Sequence, residues 1–143
     1  MEDVIIVGAG PAGNNAALSL TQNGYKVTVI DSRYDIGNKP CTGIVGQECA
    51  SKFPIPPEYI YREAQSATFV APNGSHIDID TGKPQAYIID RANYVASFAR
   101  KAQNFGASYK LGERVENISI SENVAHIDTN SGKYTSRSVI VAS

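Results

Sequence analysis

The sequence predicts an α/β fold built on a parallel sheet with a β-meander. Three observations predict it. The apolar run Val4–Val7 opens into Gly8, Gly10 and Gly13, spaced G-x-G-x-x-G. A helical pattern follows at once. A second apolar run then ends on Asp31, 18 residues after Gly13. Strand, glycines, helix, strand and acid stand in the order that a dinucleotide-binding βαβ unit requires, so the expected domain is of the Rossmann-like, FAD/NAD(P)-binding type.

Each element can be justified in turn. Residues 3–7 read as a buried strand, apolar after Asp3. Residues 11–23 read as a helix, with Pro11 suited to its first turn, Ala12, Ala16 and Leu20 on one stripe, and Asn23-Gly24 as its stop. Lys26–Ile30 is the second strand. Residues 32–62 read as mostly irregular, with four of the seven prolines and a short helix at Gln47–Lys52. A loop of that length inside a compact domain is usually functional. Gln65–Val70 and His76–Ile79 alternate around Pro72-Asn73-Gly74 and predict a hairpin. Tyr87–Ile89 is a further short strand. Asp90 is placed to cap a helix over 91–105, whose apolar face would be Tyr94, Val95, Phe98, Ala99, Ala102 and Phe105. Gly106 ends it. Ser108–Leu111 reads as the third parallel strand. Arg114–Ser119, Val124–Thr129 and Lys133–Ser136 read as a meander, and Val139–Val141 as a separate return to the parallel sheet.

The 143 residues suit one ordinary domain, read as 1–143. A hydrophobic content of 42% against 19% charged residues allows a packed core. A net charge of −1 with no basic block gives nucleic acid no electrostatic footing. No apolar run reaches the roughly 18 residues that span a bilayer. No leader precedes the first strand, so a cytoplasmic, reducing location is expected. Cys41 and Cys49 fit neither a disulfide framework nor a zinc site. His76 and His126 lack metal-ligand spacing and are expected at the surface. Ala142 ends the last strand at the sheet's carboxyl edge, where such sheets bind ligands. That ending predicts the N-terminal part of a longer enzyme.

The glycines carry the chemistry. Gly8 would let the chain turn out of the strand. Gly10 would let a pyrophosphate approach the main chain, and Gly13 would let the helix pack closely. Pro11 and Ala12 open the helix, whose free N–H groups and dipole favour an anion. Asp31 would accept from a ribose. A tight turn with no ligand would leave the acid at the end of strand two without a purpose.

The stretch Ile30-Asp31-Ser32-Arg33-Tyr34-Asp35-Ile36-Gly37-Asn38-Lys39-Pro40-Cys41-Thr42-Gly43-Ile44 resembles the geranylgeranyl reductase family, flavoenzymes with an FAD-binding domain of the glutathione-reductase and para-hydroxybenzoate-hydroxylase type. The resemblance covers the chain and is specific at Lys39–Gly43. It implies FAD as cofactor, with Asp31 on the ribose and Ser32 and Arg33 near the adenosine. It implies that Lys39, Pro40, Cys41, Thr42 and Gly43 run beside the flavin ring, that Arg91 of the Asp90-Arg91 pair serves the cofactor, and that a backbone group of Val115 meets adenine. The implied reaction reduces carbon–carbon double bonds of an isoprenoid, with NAD(P)H or ferredoxin as electron donor. A lipid substrate implies peripheral work at a membrane through a missing domain. Asp31 stands where Glu is commoner, and Thr42 where glycine is usual. The second flavin motif, a G-D pair, is absent, so the fragment alone is expected to be inactive.

Alternatives stay open on the residues themselves. Cys41 is a flavin-adjacent catalytic group or a small filler in a tight loop; Cys49 reads as packing. Arg91 binds the cofactor or is a solvated first-turn residue. Arg33 contacts adenosine or is surface charge. A flavin-dependent aromatic monooxygenase fits the same fold. A non-catalytic nucleotide-binding fragment fits it too, and would purify colourless.

Overall fold

A computed structural model describes residues 1–143. In chain order the elements are β1 (Glu2–Val7), α1 (Pro11–Gln22), β2 (Val27–Asp31), β3 (Ile44–Gly46), α2 (Gln47–Lys52), a 3-10 turn (Pro57–Tyr59), β4 (Ile60–Ala64), β5 (Ser66–Val70), β6 (His76–Asp80), β7 (Ala86–Ile89), α3 (Arg91–Asn104), β8 (Ser108–Leu111), β9 (Val115–Ser121), β10 (Val124–Thr129) and β11 (Lys133–Val141). They form two compact units: Met1–Asn38 with Val95–Ser143, and Lys39–Tyr94.

The first unit is a six-stranded sheet in the order β8-β2-β1-β11-β10-β9. β8, β2, β1 and the end of β11 run parallel, and β9 and β10 complete it antiparallel. Successive residues of β1 and β2 point to opposite faces, and both faces are covered. Val4, Ile6, Val27 and Val29 pack with Ala17 of α1 and Ala102 of α3. Ile5 and Ile30 pack with Ala125 and Ile127 of the meander. Burial on both sides is why these strands read as unbroken apolar runs.

Polar packing sets the seat of α1. Its buried residues are Gly13, Asn14, Ala17 and Thr21, whereas Ala12 is exposed. The expected Ala12/Ala16/Leu20 stripe is therefore rotated. Asn14 can be buried because both ends of its amide are used. Nδ2 donates to the Ala9 carbonyl at 2.8 Å, and Oδ1 accepts from the Tyr109 hydroxyl at 2.9 Å.

The second unit holds a three-stranded antiparallel sheet, β3-β7-β4, and the hairpin β5–β6. The hairpin turns at Gly74 (φ 85°), as the Asn73-Gly74 signal predicts. Pairing of Ala67 with Ile79 and Phe69 with Ile77 gives it one apolar face, and Phe69, Ile77 and Ile79 are exposed.

Four expectations need correction. The stretch 32–62 holds more than the expected short helix: β3 and the start of β4 also lie there, each paired with β7. β11 is one strand rather than two, because its first half pairs with β10 and its second half with β1, sharing Ser136. On α3, Val95, Ala99 and Ala102 are buried with Ser97, while Phe105 beyond the helix end is 57% exposed. Cys49 is exposed, not packed. No helix is long and apolar enough to cross a membrane.

Candidate nucleotide-binding site

The glycine turn after β1 divides its labour. Gly8 adopts φ +109°, and its N–H donates to the Ile30 carbonyl at 2.8 Å. A Cβ there would stand 2.7 Å from the Ala142 carbonyl oxygen. Ala142 in turn donates its N–H to the Val7 carbonyl, so the end of β11 closes over the turn. At Gly13 a Cβ would lie 1.9 Å from the Gly8 carbonyl oxygen. Helix and turn can therefore touch only through glycine. Gly10 differs: its nearest neighbour would be the Ala142 oxygen at 4.0 Å, so open space lies beside it.

That space sits at the start of α1. Gly10 is the N-cap, supplies no side-chain cap, and is followed by Pro11 and Ala12, both exposed; the first turn carries no acid. First-turn N–H groups have no intrahelical acceptor and carry the positive end of the helix dipole. An open, positively polarised cradle fits a diphosphate.

The end of β2 forms the next wall. Asp31 Oδ2 accepts from the Ala9 N–H at 2.6 Å, and Oδ1 accepts from the Arg33 N–H at 2.8 Å. A carboxylate offers about four acceptor positions, so capacity is left for ribose hydroxyls. Ser32 and Arg33 are exposed. Two backbone bonds bring the start of β9 alongside: Glu113 N–H to the Asp31 carbonyl at 3.0 Å, and Gly112 N–H to the Arg33 carbonyl at 2.9 Å. Val115 packs its side chain against the core at the start of β9, where it pairs with Thr129. The first unit thus gathers Gly8–Gly13, Asp31–Arg33, Val115 and Ala142. Sequence reasoning missed Asn14 and Glu113, which brace this corner from below; a buried Asn on a helix face and an acid after Gly112 carry no pattern of their own.

The remaining residues singled out lie in the second unit. Lys39, Pro40, Cys41 and Thr42 are exposed, while Gly43 is buried. Gly43 takes φ +71°, and a Cβ there would be 2.9 Å from the Ile89 carbonyl oxygen; its own carbonyl accepts the Ile89 N–H. Arg91 Nη1 donates to the Lys39 carbonyl at 3.2 Å, which ties the loop's first residue to the start of α3. Asp90 caps that helix, accepting the Asn93 N–H at 3.1 Å and the Asn93 amide at 2.8 Å. These donors hold its carboxyl below the usual carboxylate range, with help from the Tyr61 hydroxyl. The Cys41 thiol is held below its ordinary value, first by the Gly43 backbone N–H and then by the Arg91 charge and Thr42, partly offset by the desolvation its neighbours impose. The loop therefore offers an exposed, acidified thiol rather than a packed filler.

Comparison with known proteins agrees with this geometry. The family described as pyridine nucleotide-disulphide oxidoreductase matches residues 2–143. The chain is 31% identical over 135 residues to the digeranylgeranylglycerophospholipid reductase of Methanococcus aeolicus, covering 93% of this chain and 32% of that protein. It is 31% identical over 110 residues to the geranylgeranyl diphosphate reductase of Rhodobacter capsulatus, covering 77% of this chain and 28% of that protein. The chain thus spans about a third of the length of these curated relatives. A geranylgeranyl bacteriochlorophyll reductase-like protein from Thermoplasma acidophilum superposes with a TM-score of 0.80 at 23% identity, over 99% of this chain and 38% of that one. The p-nitrophenol 4-monooxygenase of Pseudomonas putida does so at 0.77 and 18%, over 99% of this chain and 40% of that one. These superpositions establish the FAD-binding, Rossmann-like fold, and the sequence matches bear out the likeness to geranylgeranyl reductases.

Proposed function

The chain belongs to the pyridine nucleotide-disulphide oxidoreductase family, and from that premise we propose that it holds FAD for a reductase acting on the carbon–carbon double bonds of a geranylgeranyl chain. The observation that carries the binding role is the division among the glycines: Gly8 and Gly13 are filled by backbone, while Gly10 leaves space open at a bare helix N-terminus. The substrate class rests on the relatives named above.

Residues of this chain have assignable tasks in that reading. The first turn of α1 orients the diphosphate through N–H groups without a competing side chain. Asp31 holds the ribose and the glycine turn at once. Val115 offers backbone groups to adenine. Arg91 fixes the Lys39 carbonyl, and so steadies the loop that runs beside the flavin in this proposal. Cys41 on that loop is the candidate catalytic group. FAD, when bound and reduced, supplies the hydride for the alkene. NAD(P)H or ferredoxin is the electron donor in this proposal.

The test is an absorbance spectrum of the full gene product as purified, followed by anaerobic reduction and addition of a geranylgeranyl lipid. Flavin bands that return on addition of the lipid support the reading. A colourless protein that takes up no added FAD overturns the cofactor assignment. A yellow protein that only oxygen and a phenol reoxidise transfers it to the monooxygenases.

A further inference from the structure

Glu113 is an acid buried without an evident reason. It is only 7% exposed and belongs to no sequence motif. Its Oε1 accepts from the Thr129 hydroxyl at 2.5 Å, and its Oε2 accepts from the Tyr134 hydroxyl at 3.0 Å. Thr129 in turn accepts the N–H groups of Ser131 and Gly132. Taking a carboxylate out of water for two neutral donors is costly. An arrangement of that cost is informative about what it holds still.

What it holds is one corner. The Glu113 N–H reaches the Asp31 carbonyl, and the Gly112 N–H reaches the Arg33 carbonyl. Arg114 exchanges hydrogen bonds with Asn130: its N–H meets the Asn130 side chain at 2.8 Å, and its carbonyl takes the Asn130 N–H at 3.0 Å. The β9–β10 register slips at Asp128/Thr129, where Val115 pairs with Thr129. The turn into β9 is thus not held by regular ladder pairing. The Glu113 side chain closes that gap, linking the end of β2 to the Thr129–Gly132 turn and to β11.

We propose that Glu113 is a positioning residue for the adenosine end of the dinucleotide, its carboxylate fixing the backbone of Val115 in register with Asp31. The inference rests on the nucleotide-binding reading above. Glu113 touches no ligand itself. It sets the separation between the acid that takes the ribose and the strand that meets the base.

The experiment uses the full gene product, with ADP and inosine diphosphate as calorimetric probes. Inosine diphosphate carries an oxygen in place of the adenine amino group, so the ratio of the two affinities reads the base contact alone. Glu113→Ala is expected to weaken ADP about tenfold and to shrink the preference for ADP over inosine diphosphate. Glu113→Gln, which can still bond both hydroxyls, is expected to restore both. Tyr134→Phe, a milder variant should Glu113→Ala fail to fold, is expected to move the ratio in the same direction by less. An unchanged ratio in the folded variants overturns the proposal, even if affinity and melting temperature fall together. Asp31→Ala separates the two readings: if it leaves ADP binding intact, the nucleotide site itself is wrong; if it weakens ADP while Glu113 and Tyr134 variants keep the wild-type ratio, only the Glu113 role fails.

Discussion

Asp31 Oδ2 lies 2.6 Å from the backbone nitrogen of Ala9, so the acid that ends β2 also fixes the turn that leaves β1. The same carboxylate bonds the Arg33 N–H through its other oxygen. The short Asp side chain makes both hydrogen bonds close to the main chain. Asp31→Ala is expected to weaken FAD binding by about 1.5–3 kcal/mol, the range for hydrogen bonds to a charged group. Asp31→Asn should fare little better, because an amide turns a donor toward one of the two N–H groups. Flavin fluorescence titration of the full gene product measures both. Wild-type affinity in Asp31→Asn would return the residue to a packing role.

Gly10 and Gly13 are expected to fail in different assays. A Cβ on Gly13 meets a backbone oxygen at 1.9 Å, and no side chain can yield there. Gly13→Ala should cost at least about 3 kcal/mol of stability, at the upper end for overpacking. A Cβ on Gly10 meets nothing nearer than 4.0 Å. Gly10→Ala should therefore melt within about 1 kcal/mol of wild type, the scale of a changed N-cap. Gly10→Val should leave the fold standing and lower nucleotide affinity more than tenfold, about 1.4 kcal/mol. Thermal melts and nucleotide titration on the same three proteins separate the two roles.

How far the sequence carries follows from which forces are local. β1, the glycine turn, α1 and β2 are legible because unbroken apolar runs, turn glycines and a terminal acid are all local signals. The seat of α1 is not, because the approach of Gly13 to the Gly8 carbonyl turns Asn14 inward and Ala12 outward. β3 and β4 are short and find their partner, β7, far along the chain. Prolines between them hide the pairing. Ser136-Arg137-Ser138 breaks the apolar pattern of β11, yet the strand continues because each half has its own neighbour. Arg91 reaches a carbonyl 52 residues away in the chain, and no spacing rule anticipates such a contact. The glycines, Asp31 and the loop 39–43 are readable as candidates; the braces behind them, Asn14 and Glu113, need coordinates.

Cys41 gives a chemical readout of its loop. The Gly43 N–H, the Arg91 charge and Thr42 all favour the thiolate, and the shift is downward from the ordinary thiol value. A lowered value means that more thiolate is present at a given pH below it. In a Cys49→Ser background, the rate of alkylation by iodoacetamide should therefore rise with pH about a midpoint lower than that of a free cysteine peptide. Arg91→Gln removes one favourable charge and frees the Lys39 carbonyl, so the midpoint should climb back. A rate profile in Arg91→Gln that matches the parent would detach Arg91 from the loop's electrostatics.

Asn14 tests whether the floor of the site is a network or a set of separate bonds. It is fully buried, with its amide shared between the Ala9 carbonyl and the Tyr109 hydroxyl. Burial drives the Tyr109 hydroxyl far above its ordinary titration range, so it remains a donor at any working pH. Asn14→Ala strands that hydroxyl and removes the Ala9 contact, for an expected loss of about 2–4 kcal/mol. Tyr109→Phe removes one donor and leaves the amide oxygen unpaired, for about 1 kcal/mol or somewhat more. Once Asn14 is gone, deleting the Tyr109 hydroxyl also deletes the unsatisfied group. The double variant should therefore be more stable than the sum of the two losses predicts, by at least about 0.5 kcal/mol. Denaturant titrations of the four proteins close the cycle. Strict additivity would show that Asn14 and Tyr109 act separately, and that the amide is buried for the sake of Ala9 and the turn alone.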